Sequence, residues 1–401
     1  MPEPPKRRRS LSDLGGRVHL RGDRPLAELL ARAFSESAVE DPDTLTHGFH
    51  TYPARMHPAV PRVLLRALTT SGARVLDPFC GSGTTLVEAR AHGCAATGID
   101  LNPMALRVAE VKCRVVDDPA LESYRLDLKR VVAASEARVK ARAPSRAPLS
   151  PDEVRRYEGH VLRELAGLWE EIRAVENEDN RRALEVVLSS IVVKFSRQRA
   201  DTAEDVIEKR IGRFVPTRFF ARKGEELAQR WQALREVVPA HTEAPRLLEG
   251  DARRLADLMP RDERFDLVVS SPPYGGTYDY HTHHRLRLAW LRLEDTSLRR
   301  GEMGARRRLS QGRGGKEQWD RELSAFLSAL SRRLHEKSTA VLLMGDGEVE
   351  GIRVPADEQL ERLCEPAPLR VVAVASEPRR DWRGGPGRRE HLVALQMRSQ
   401  R

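Results

Sequence analysis

Residues 73–85 read Ala-Arg-Val-Leu-Asp-Pro-Phe-Cys-Gly-Ser-Gly-Thr-Thr, and the predicted fold follows from them. Ala73–Asp77 is a short apolar run that ends in an acidic residue, as a buried strand often does. The glycines after it let the backbone turn sharply and approach a ligand without a Cβ in the way. Thr84–His92 then has helical spacing. We therefore predict a strand, a glycine-rich turn and a helix in direct succession.

The same alternation continues along the chain. Ala95–Asp100 predicts a second strand and Pro103–Lys112 a second helix. Further strands are predicted at Arg246–Asp251, Phe265–Ser270 and Thr339–Met344. Leu369–Ala375 and His391–Met397 suit an antiparallel hairpin at one edge of the sheet. The pattern predicts an α/β, Rossmann-like sheet that is mostly parallel and ends in a C-terminal antiparallel hairpin.

A helical region interrupts the alternation between residues 120 and 240. Leucines recur there at helical intervals, for example Leu162, Leu165 and Leu168. We interpret this region as a helical insert in the sheet domain. The expected division is a basic, partly disordered N-terminal segment at 1–45, a first half of the sheet domain at 46–118, the insert at 119–245 and a second half at 246–401.

Composition restricts the classes of partner and compartment. The formal net charge of the 401-residue chain is +10 at pH 7, which suits a polyanion such as a nucleic acid. A GC-rich genome, which encodes many arginines, would explain the same excess, so charge alone does not decide whether the partner is a nucleic acid. No apolar run approaches the ~20 residues that span a bilayer. The four cysteines form no CxxC pair, so we expect neither a zinc knuckle nor disulfides, and a cytoplasmic location.

The glycine turn and two later acids predict a ligand site. The Gly-Ser-Gly-Thr-Thr sequence at 81–85 lacks the third glycine of the dinucleotide fingerprint. It therefore favours a ligand that places a carboxylate and an amine at the turn, rather than a pyrophosphate. Asp100, at the tip of the second strand, can accept hydrogen bonds from ribose hydroxyls or cap the next helix. Asp251 can meet an adenine amino group or serve only as a turn residue.

The sequence Ser-Ser-Pro-Pro-Tyr-Gly at 270–275 predicts the chemistry. An exocyclic amine on a nucleobase is a poor nucleophile because its lone pair is delocalised into the ring. Ser271 and the carbonyl of Pro272 can hold its hydrogens, and Pro273 stiffens the loop. Tyr274 can stack on a base that has been flipped out of a duplex. A Pro-Pro-Tyr triplet is often a linker, but this one directly follows an apolar strand.

Together these motifs resemble the amino-methyltransferases that act on DNA bases. Members of that family carry a glycine-rich cofactor motif and a (D/N/S)-P-P-(Y/F) catalytic motif on a class I methyltransferase sheet. The Ser-Pro-Pro-Tyr form is similar to the N4-cytosine members, whereas adenine-N6 members more often carry Asp first. The sequence His-Thr-Tyr-Pro-Ala-Arg-Met-His-Pro at 50–58 resembles the family's segment before the cofactor motif.

The resemblance implies S-adenosyl-L-methionine as cofactor and assigns site residues. It implies cofactor contacts by Tyr52, Pro53, Asp77, Gly81, Gly83 and Asp100. We extend the expected cofactor site to Pro78, Phe79, Thr84, Thr85, Asn102 and Asp251. Target roles are implied for Ser271, Pro272 and Tyr274, with Pro273 completing the catalytic motif.

Target recognition in this family often lies in an insert such as 119–245. Arg197 and Arg199 combine positive charge with polar neighbours, as groove contacts need, although a solvated helical face explains them equally well. Tyr278, Tyr280 and His281 are expected to line the target pocket. We expect no metal, since methyl transfer from a sulfonium needs none.

The resulting hypothesis is a site-specific methyltransferase that flips a cytosine out of double-stranded DNA and methylates its N4 by direct in-line transfer. Restriction–modification, with a cognate restriction endonuclease as a candidate partner, follows by resemblance. Methylation of adenine N6 in DNA or of a guanine amine in RNA stays open. So does a nucleic-acid-binding regulator on an inactive methyltransferase fold. The sequence does not indicate an oligomeric state.

Overall fold

The computed structural model describes residues 17–203, 205–310, 314–379 and 387–398. The strands are β1 (His19–Gly22), β2 (Arg74–Asp77), β3 (Ala95–Asp100), β4 (Arg246–Glu249), β5 (Phe265–Ser270), β6 (Leu334–Gly345), β7 (Gly347–Val349), β8 (Ile352–Val354), β9 (Leu369–Arg379) and β10 (Arg388–Met397). The helices before the second half of the sheet are α1 (Arg24–Val39), α2 (Ala59–Leu68), α3 (Thr84–Ala91), α4 (Pro103–Cys113), α5 (Asp118–Ala141), α6 (Pro151–Val154), α7 (Gly159–Arg173), α8 (Glu178–Phe195) and α9 (Val215–Val237). Those that follow are α10 (Leu255–Leu258), α11 (Tyr280–Leu291), α12 (Thr296–Gly301), α13 (Arg306–Leu309), α14 (Gly315–Ser331) and α15 (Ala356–Cys364).

The main sheet has the strand order β1-β9-β10-β6-β5-β2-β3-β4. Strands β4, β3, β2, β5 and β6 are parallel, whereas β10 runs antiparallel to both β6 and β9. The predicted fold class, a mostly parallel Rossmann-like sheet with a C-terminal antiparallel hairpin, is confirmed. Strand β3 lies on one side of β2 in the sheet, and β5 lies on the other side, so the strand order reverses at β2. Ligands of such sheets bind where the strand order reverses, beyond the carboxyl ends of the strands.

Residues 17–45 belong to the sheet domain, which corrects the expectation of a separate N-terminal segment. Strand β1 pairs with β9, from His19 opposite Ser376 to Gly22 opposite Ala373. Helix α1 packs with α2 on one face of the sheet. Every residue of β1 is exposed, so no apolar alternation marks it as a strand. The expected disorder falls mainly on residues 1–16, outside the described residues.

The insert helices α5, α7, α8 and α9 share an apolar core with α4 and α11. Trp231 on α9 is fully buried, and its indole N–H donates to the carbonyl of Val111 on α4 at 2.7 Å. On α11, the indole N–H of Trp290 donates to the Tyr157 hydroxyl at 2.8 Å. The insert is therefore packed directly against the helix that follows the Ser-Pro-Pro-Tyr loop. Among the described residues, no helix is both long and apolar enough to cross a membrane.

Candidate cofactor and target site

The glycine turn lies at the carboxyl end of β2, where the strand order reverses. Gly81 and Gly83 have φ angles of 48° and 80°, in the left-handed region that favours glycine. A Cβ on Gly83 would lie 2.9 Å from the Cβ of Ala109, and one on Gly81 would lie 3.2 Å from the Tyr52 ring. Both glycines are therefore required by backbone angle and by close packing. Helix α3 begins directly after the turn, at Thr84.

A cavity opens to solvent beside this turn, and its space, including the open part, is about 850 Å³. It brings together most of the residues that the sequence predicts, namely Tyr52, Asp77, Pro78, Phe79, Gly81, Thr84, Thr85, Asp100, Asn102, Asp251, Ser271, Pro273 and Tyr280. Pro53, Gly83, Pro272 and Tyr274 are not among its lining residues. The glycine turn and the start of the Ser-Pro-Pro-Tyr loop therefore face one cavity.

Asp77 is held by the serine that precedes the catalytic motif. Its Oδ1 accepts hydrogen bonds from the Ser270 hydroxyl at 2.6 Å and from the Phe79 amide at 3.2 Å. Burial raises the pKa of Asp77 to about 6, and the hydrogen bond from Ser270 opposes this shift. Ser270 was not predicted as a site residue. Its position at the last residue of β5 is the only sequence signal for this contact.

Asp100 fixes the glycine turn from the end of β3. One carboxylate oxygen accepts from the Gly81 amide at 2.9 Å and the other from the Asn102 amide at 2.8 Å. Burial raises the pKa of Asp100 to about 6, against these backbone hydrogen bonds. The cap of α4 is Asn102, whose side chain accepts from the Met104 amide at 3.0 Å. The alternative role of Asp100 as the helix cap is therefore taken by its neighbour.

Asp251 is paired with an arginine that sequence reasoning missed. The Arg253 guanidinium donates to both carboxylate oxygens of Asp251, with a shortest distance of 2.6 Å. It also donates to the carbonyl of Gly301 at 2.8 Å. In addition, Asp251 accepts from the Arg253 amide at 2.9 Å, so it serves the turn while lining the cavity.

Glu302 is a second cavity residue that was not predicted. It is only 4% exposed, and burial raises its pKa to about 7. Its carboxylate accepts from the backbone N–H of Tyr280 at the start of α11. No periodic pattern marks an acid in this loop, so the sequence alone offered no signal. With Asp77, Asp100 and Asp251, it makes four carboxyl groups around one cavity.

The structure corrects the prediction that Tyr274 stacks on the target base. Its side chain is 3% exposed and packs in the apolar core on the face of the sheet opposite to α1 and α2, not in the cavity lining. The hydroxyl donates to Oε1 of Glu390 on β10 at 2.8 Å. Tyr274 therefore anchors the loop to the sheet. An aromatic wall is supplied by Tyr52 and Tyr280, whose ring centroids lie 6.5 Å apart in a stacked arrangement.

The other predicted target residues lie outside the cavity. Tyr278 borders a neighbouring groove together with Pro53, and its ring is 5.7 Å from that of Tyr280. His281 Nε2 lies 2.8 Å from a carboxylate oxygen of Asp295. Arg197 and Arg199 do not line the cavity: Arg197 pairs with Glu158 at 3.4 Å, and Arg199 is exposed.

Four carboxyl groups suit a cationic ligand, and S-adenosylmethionine carries both a sulfonium and an ammonium group. The glycine turn leaves room for the carboxylate and the amine of the ligand, and Asp100 at the tip of β3 is placed for a ribose. The residues present therefore fit this cofactor. Fold and cavity together are those expected of S-adenosylmethionine-dependent methyltransferases.

Known proteins of one family resemble this chain. A family model described as DNA methylase, of the N6/N4 methyltransferases, matches residues 12–111. The type II methyltransferase M.MvaI of Kocuria varians is 24% identical over 270 residues, covering 62% of this chain and 58% of that protein. The chain is therefore similar to the DNA amino-methyltransferases, and its cavity suits S-adenosylmethionine as cofactor.

Two further relatives are also type II methyltransferases. M.MjaII of Methanocaldococcus jannaschii is 37% identical over 82 residues, which cover 20% of this chain and 16% of that protein. M.BsoBI of Geobacillus stearothermophilus is 23% identical over 254 residues, with coverages of 57% and 49%. The chain thus spans at most 58% of the length of the curated relatives it matches.

Cofactor binding is expected to weaken as the pH falls through 6. The pKa of both Asp77 and Asp100 is raised to about 6, so both carboxylates lose their charge at acid pH. A cationic ligand binds their ionised forms, and at pH 5 the dissociation constant should rise about 10-fold for each group that must ionise. The effect on folding has the opposite sign. Because the carboxyl pKa is raised in the folded state, the free energy of unfolding of the unliganded protein falls as the pH rises from about 4 to 6. Calorimetric titration with S-adenosylmethionine between pH 5 and 7.5 measures the binding effect. A dissociation constant that stays flat over this range would contradict it.

Proposed function

We propose that this protein methylates N4 of cytosine in double-stranded DNA, using S-adenosylmethionine as the methyl donor. The observation that carries the proposal is the position of Ser271 in the lining of the same cavity as Asp77 and Asp100. A group held by Ser271 is thereby in the compartment that takes the cofactor. The Ser-Pro-Pro-Tyr form of the motif supports cytosine, since it is similar to the N4-cytosine members of the family.

The chain's own residues would orient and polarise the amine. When bound, S-adenosylmethionine supplies an electrophilic methyl group on a sulfonium. The Ser271 hydroxyl and the carbonyl of Pro272 accept hydrogen bonds from the amino group, which localises the nitrogen lone pair. Held in this way, the nitrogen would be aimed at the methyl carbon, sulfur would leave as a neutral thioether, and the proton lost from nitrogen would pass to solvent. Positioning accounts for most of the acceleration, so no covalent enzyme intermediate is required.

The target base is expected to stack on Tyr280 and Tyr52. Both rings line the cavity, and a flipped base needs an aromatic or apolar face to replace its lost stacking. Tyr274 contributes differently: its hydroxyl is bonded to Glu390, which fixes the backbone of the loop that carries Ser271. We infer that Tyr274 determines where the motif stands and does not touch the base.

DNA is the favoured substrate because all three relatives are named type II methyltransferases. A net charge of +10 suits a polyanion. We further propose that the insert at 119–245 reads the DNA sequence, with Arg197 and Arg199 among its contacts. A restriction–modification role with a cognate endonuclease, and a cytoplasmic location, belong to the same proposal.

Transfer of labelled methyl from S-adenosylmethionine to duplex DNA tests the proposal. Purified protein is incubated separately with duplex DNA and with structured RNA of matched length. We expect label in DNA and at least about 100-fold less in RNA, from the shape difference between the two duplexes. Label only in RNA would favour an RNA amine. Cofactor binding with no transfer to either would favour a regulator on an inactive fold.

A further inference from the structure

Gly301–Arg307, which we call the brace, lies along the loop that follows the catalytic motif. Three hydrogen bonds join brace and loop: Gly276 N to Gly304 O (3.0 Å), Arg306 N to Tyr278 O (3.1 Å) and Arg307 N to Asp279 Oδ1 (3.0 Å). A Cβ on Gly304 would lie 3.5 Å from Pro273, so the two segments are in close contact. The position of the loop therefore depends on the position of the brace.

The central contact of the brace is made by Glu302. Its carboxylate accepts from the N–H of Tyr280, and a second, longer contact of 3.5 Å reaches the N–H of His281. These are among the first amides of α11, which have no partner within their own helix. A carboxylate there satisfies a backbone donor and interacts favourably with the positive end of the helix dipole.

The brace is fixed at both ends. The Arg253 guanidinium binds the carbonyl of Gly301 at 2.8 Å while holding Asp251 in the cofactor cavity. At the other end, Glu322 on α14 accepts from the Gly304 amide at 2.9 Å and from Arg308 at 3.1 Å. The cofactor side of the cavity and the catalytic loop are thereby joined through one short segment.

We propose that Glu302 is a positioning residue that holds the start of α11, and with it the loop from Pro273 to Tyr280, in the geometry needed for transfer. Its carboxylate replaces the missing helical acceptor of Tyr280, and the brace keeps that carboxylate in place. The consequence for transfer rests on the function proposed above. The consequence for the Tyr280 amide does not.

The hydrogen bond between the Tyr280 amide and the Glu302 carboxylate should depend on pH. The charged groups that face Glu302 are Asp279, which raises its pKa, and Arg307, which lies 3.7 Å away and lowers it. Burial is the larger influence and brings the pKa to about 7. Protonation below that pH removes the negative charge and one acceptor. The hydrogen bond to the Tyr280 amide should therefore weaken as the solution becomes acidic.

Hydrogen–deuterium exchange of the peptide that spans residues 274–285 tests the structural part. In Glu302→Ala, exchange of the Tyr280 amide should be at least about 10-fold faster than in the unaltered protein, as one charged hydrogen bond is lost. Glu302→Gln keeps one acceptor and cannot ionise. Its exchange, corrected for the chemical rate, should not change between pH 6 and 8, whereas that of the unaltered protein should. Glu336→Gln, on an exposed residue of β6, is the matched control.

Transfer kinetics test the functional part. In Glu302→Ala, kcat on duplex DNA, measured at saturating S-adenosylmethionine, should fall about 10- to 100-fold. Faster exchange in a protein that never methylates DNA would support the positioning role and reject the proposed function. Unchanged exchange in both Glu302 variants, or unchanged kcat in a protein that does methylate DNA, would overturn the positioning role.

Discussion

Ser271→Ala should reduce methyl transfer about 100- to 1,000-fold while leaving the affinity for S-adenosylmethionine unchanged. The hydroxyl is proposed to accept a hydrogen bond from the reacting amine, and loss of one such oriented group typically costs this much in kcat. The cofactor contacts expected of Asp77 and Asp100 remain. Single-turnover transfer to duplex DNA and a separate calorimetric titration of the cofactor measure the two quantities. Retained transfer would remove the role that we assign to Ser271.

The neighbouring serine provides a matched control. Ser270 is fully buried, and its hydroxyl donates to Asp77 at 2.6 Å, so it does not depend on the target base. Ser270→Ala leaves a buried carboxyl short of a donor and should lower the free energy of unfolding by about 1–3 kcal/mol. We expect weaker cofactor binding in this variant and unchanged stability in Ser271→Ala. Two adjacent serines with identical effects would contradict the structure of the site.

Asp100→Asn should weaken cofactor binding by about 10- to 150-fold. The carboxylate is proposed to accept the ribose hydroxyls, and hydrogen bonds to a charged group contribute about 1.5–3 kcal/mol. The amide retains one acceptor, which can still serve the Gly81 or the Asn102 amide, so the fold should survive. Binding to the variant should also lose part of the pH dependence between pH 5 and 7. Calorimetric titration at both pH values measures this.

Asp257→Asn is the control for that substitution. Asp257 is exposed on α10 and pairs with Arg254 at 2.6 Å, so replacing it should leave cofactor affinity and its pH dependence unchanged. If Asp100→Asn behaves like Asp257→Asn, then Asp100 serves only the glycine turn.

Strands with an apolar run and a chemical residue at the end were predictable from the sequence. Asp77, Asp100 and Ser271 could be located because buried parallel strands share one edge for their carboxyl ends. Strand β1 could not, since it is exposed and its partner β9 lies about 350 residues later.

The residues that support the site residues could not be predicted from the sequence for a related reason. The partner of Tyr274 is Glu390, 116 residues away, and no local pattern announces such a contact. A buried tyrosine whose hydroxyl needs a partner looks the same in sequence as one that faces a base. Glu302 and Arg253 lie in loops and short turns, where polar residues are expected anyway. The sequence therefore predicts the groups at the ends of strands better than those that hold them.

Nucleoside analysis of duplex DNA methylated by the purified protein is the most direct test of the central claim. The DNA, treated with S-adenosylmethionine carrying a labelled methyl group, is digested to nucleosides and resolved by mass spectrometry. We predict that the label is found in N4-methylcytosine and that Ser271→Ala removes it. Label in N6-methyladenine would contradict the choice of base, and label on a ring carbon of cytosine would contradict transfer to an amine.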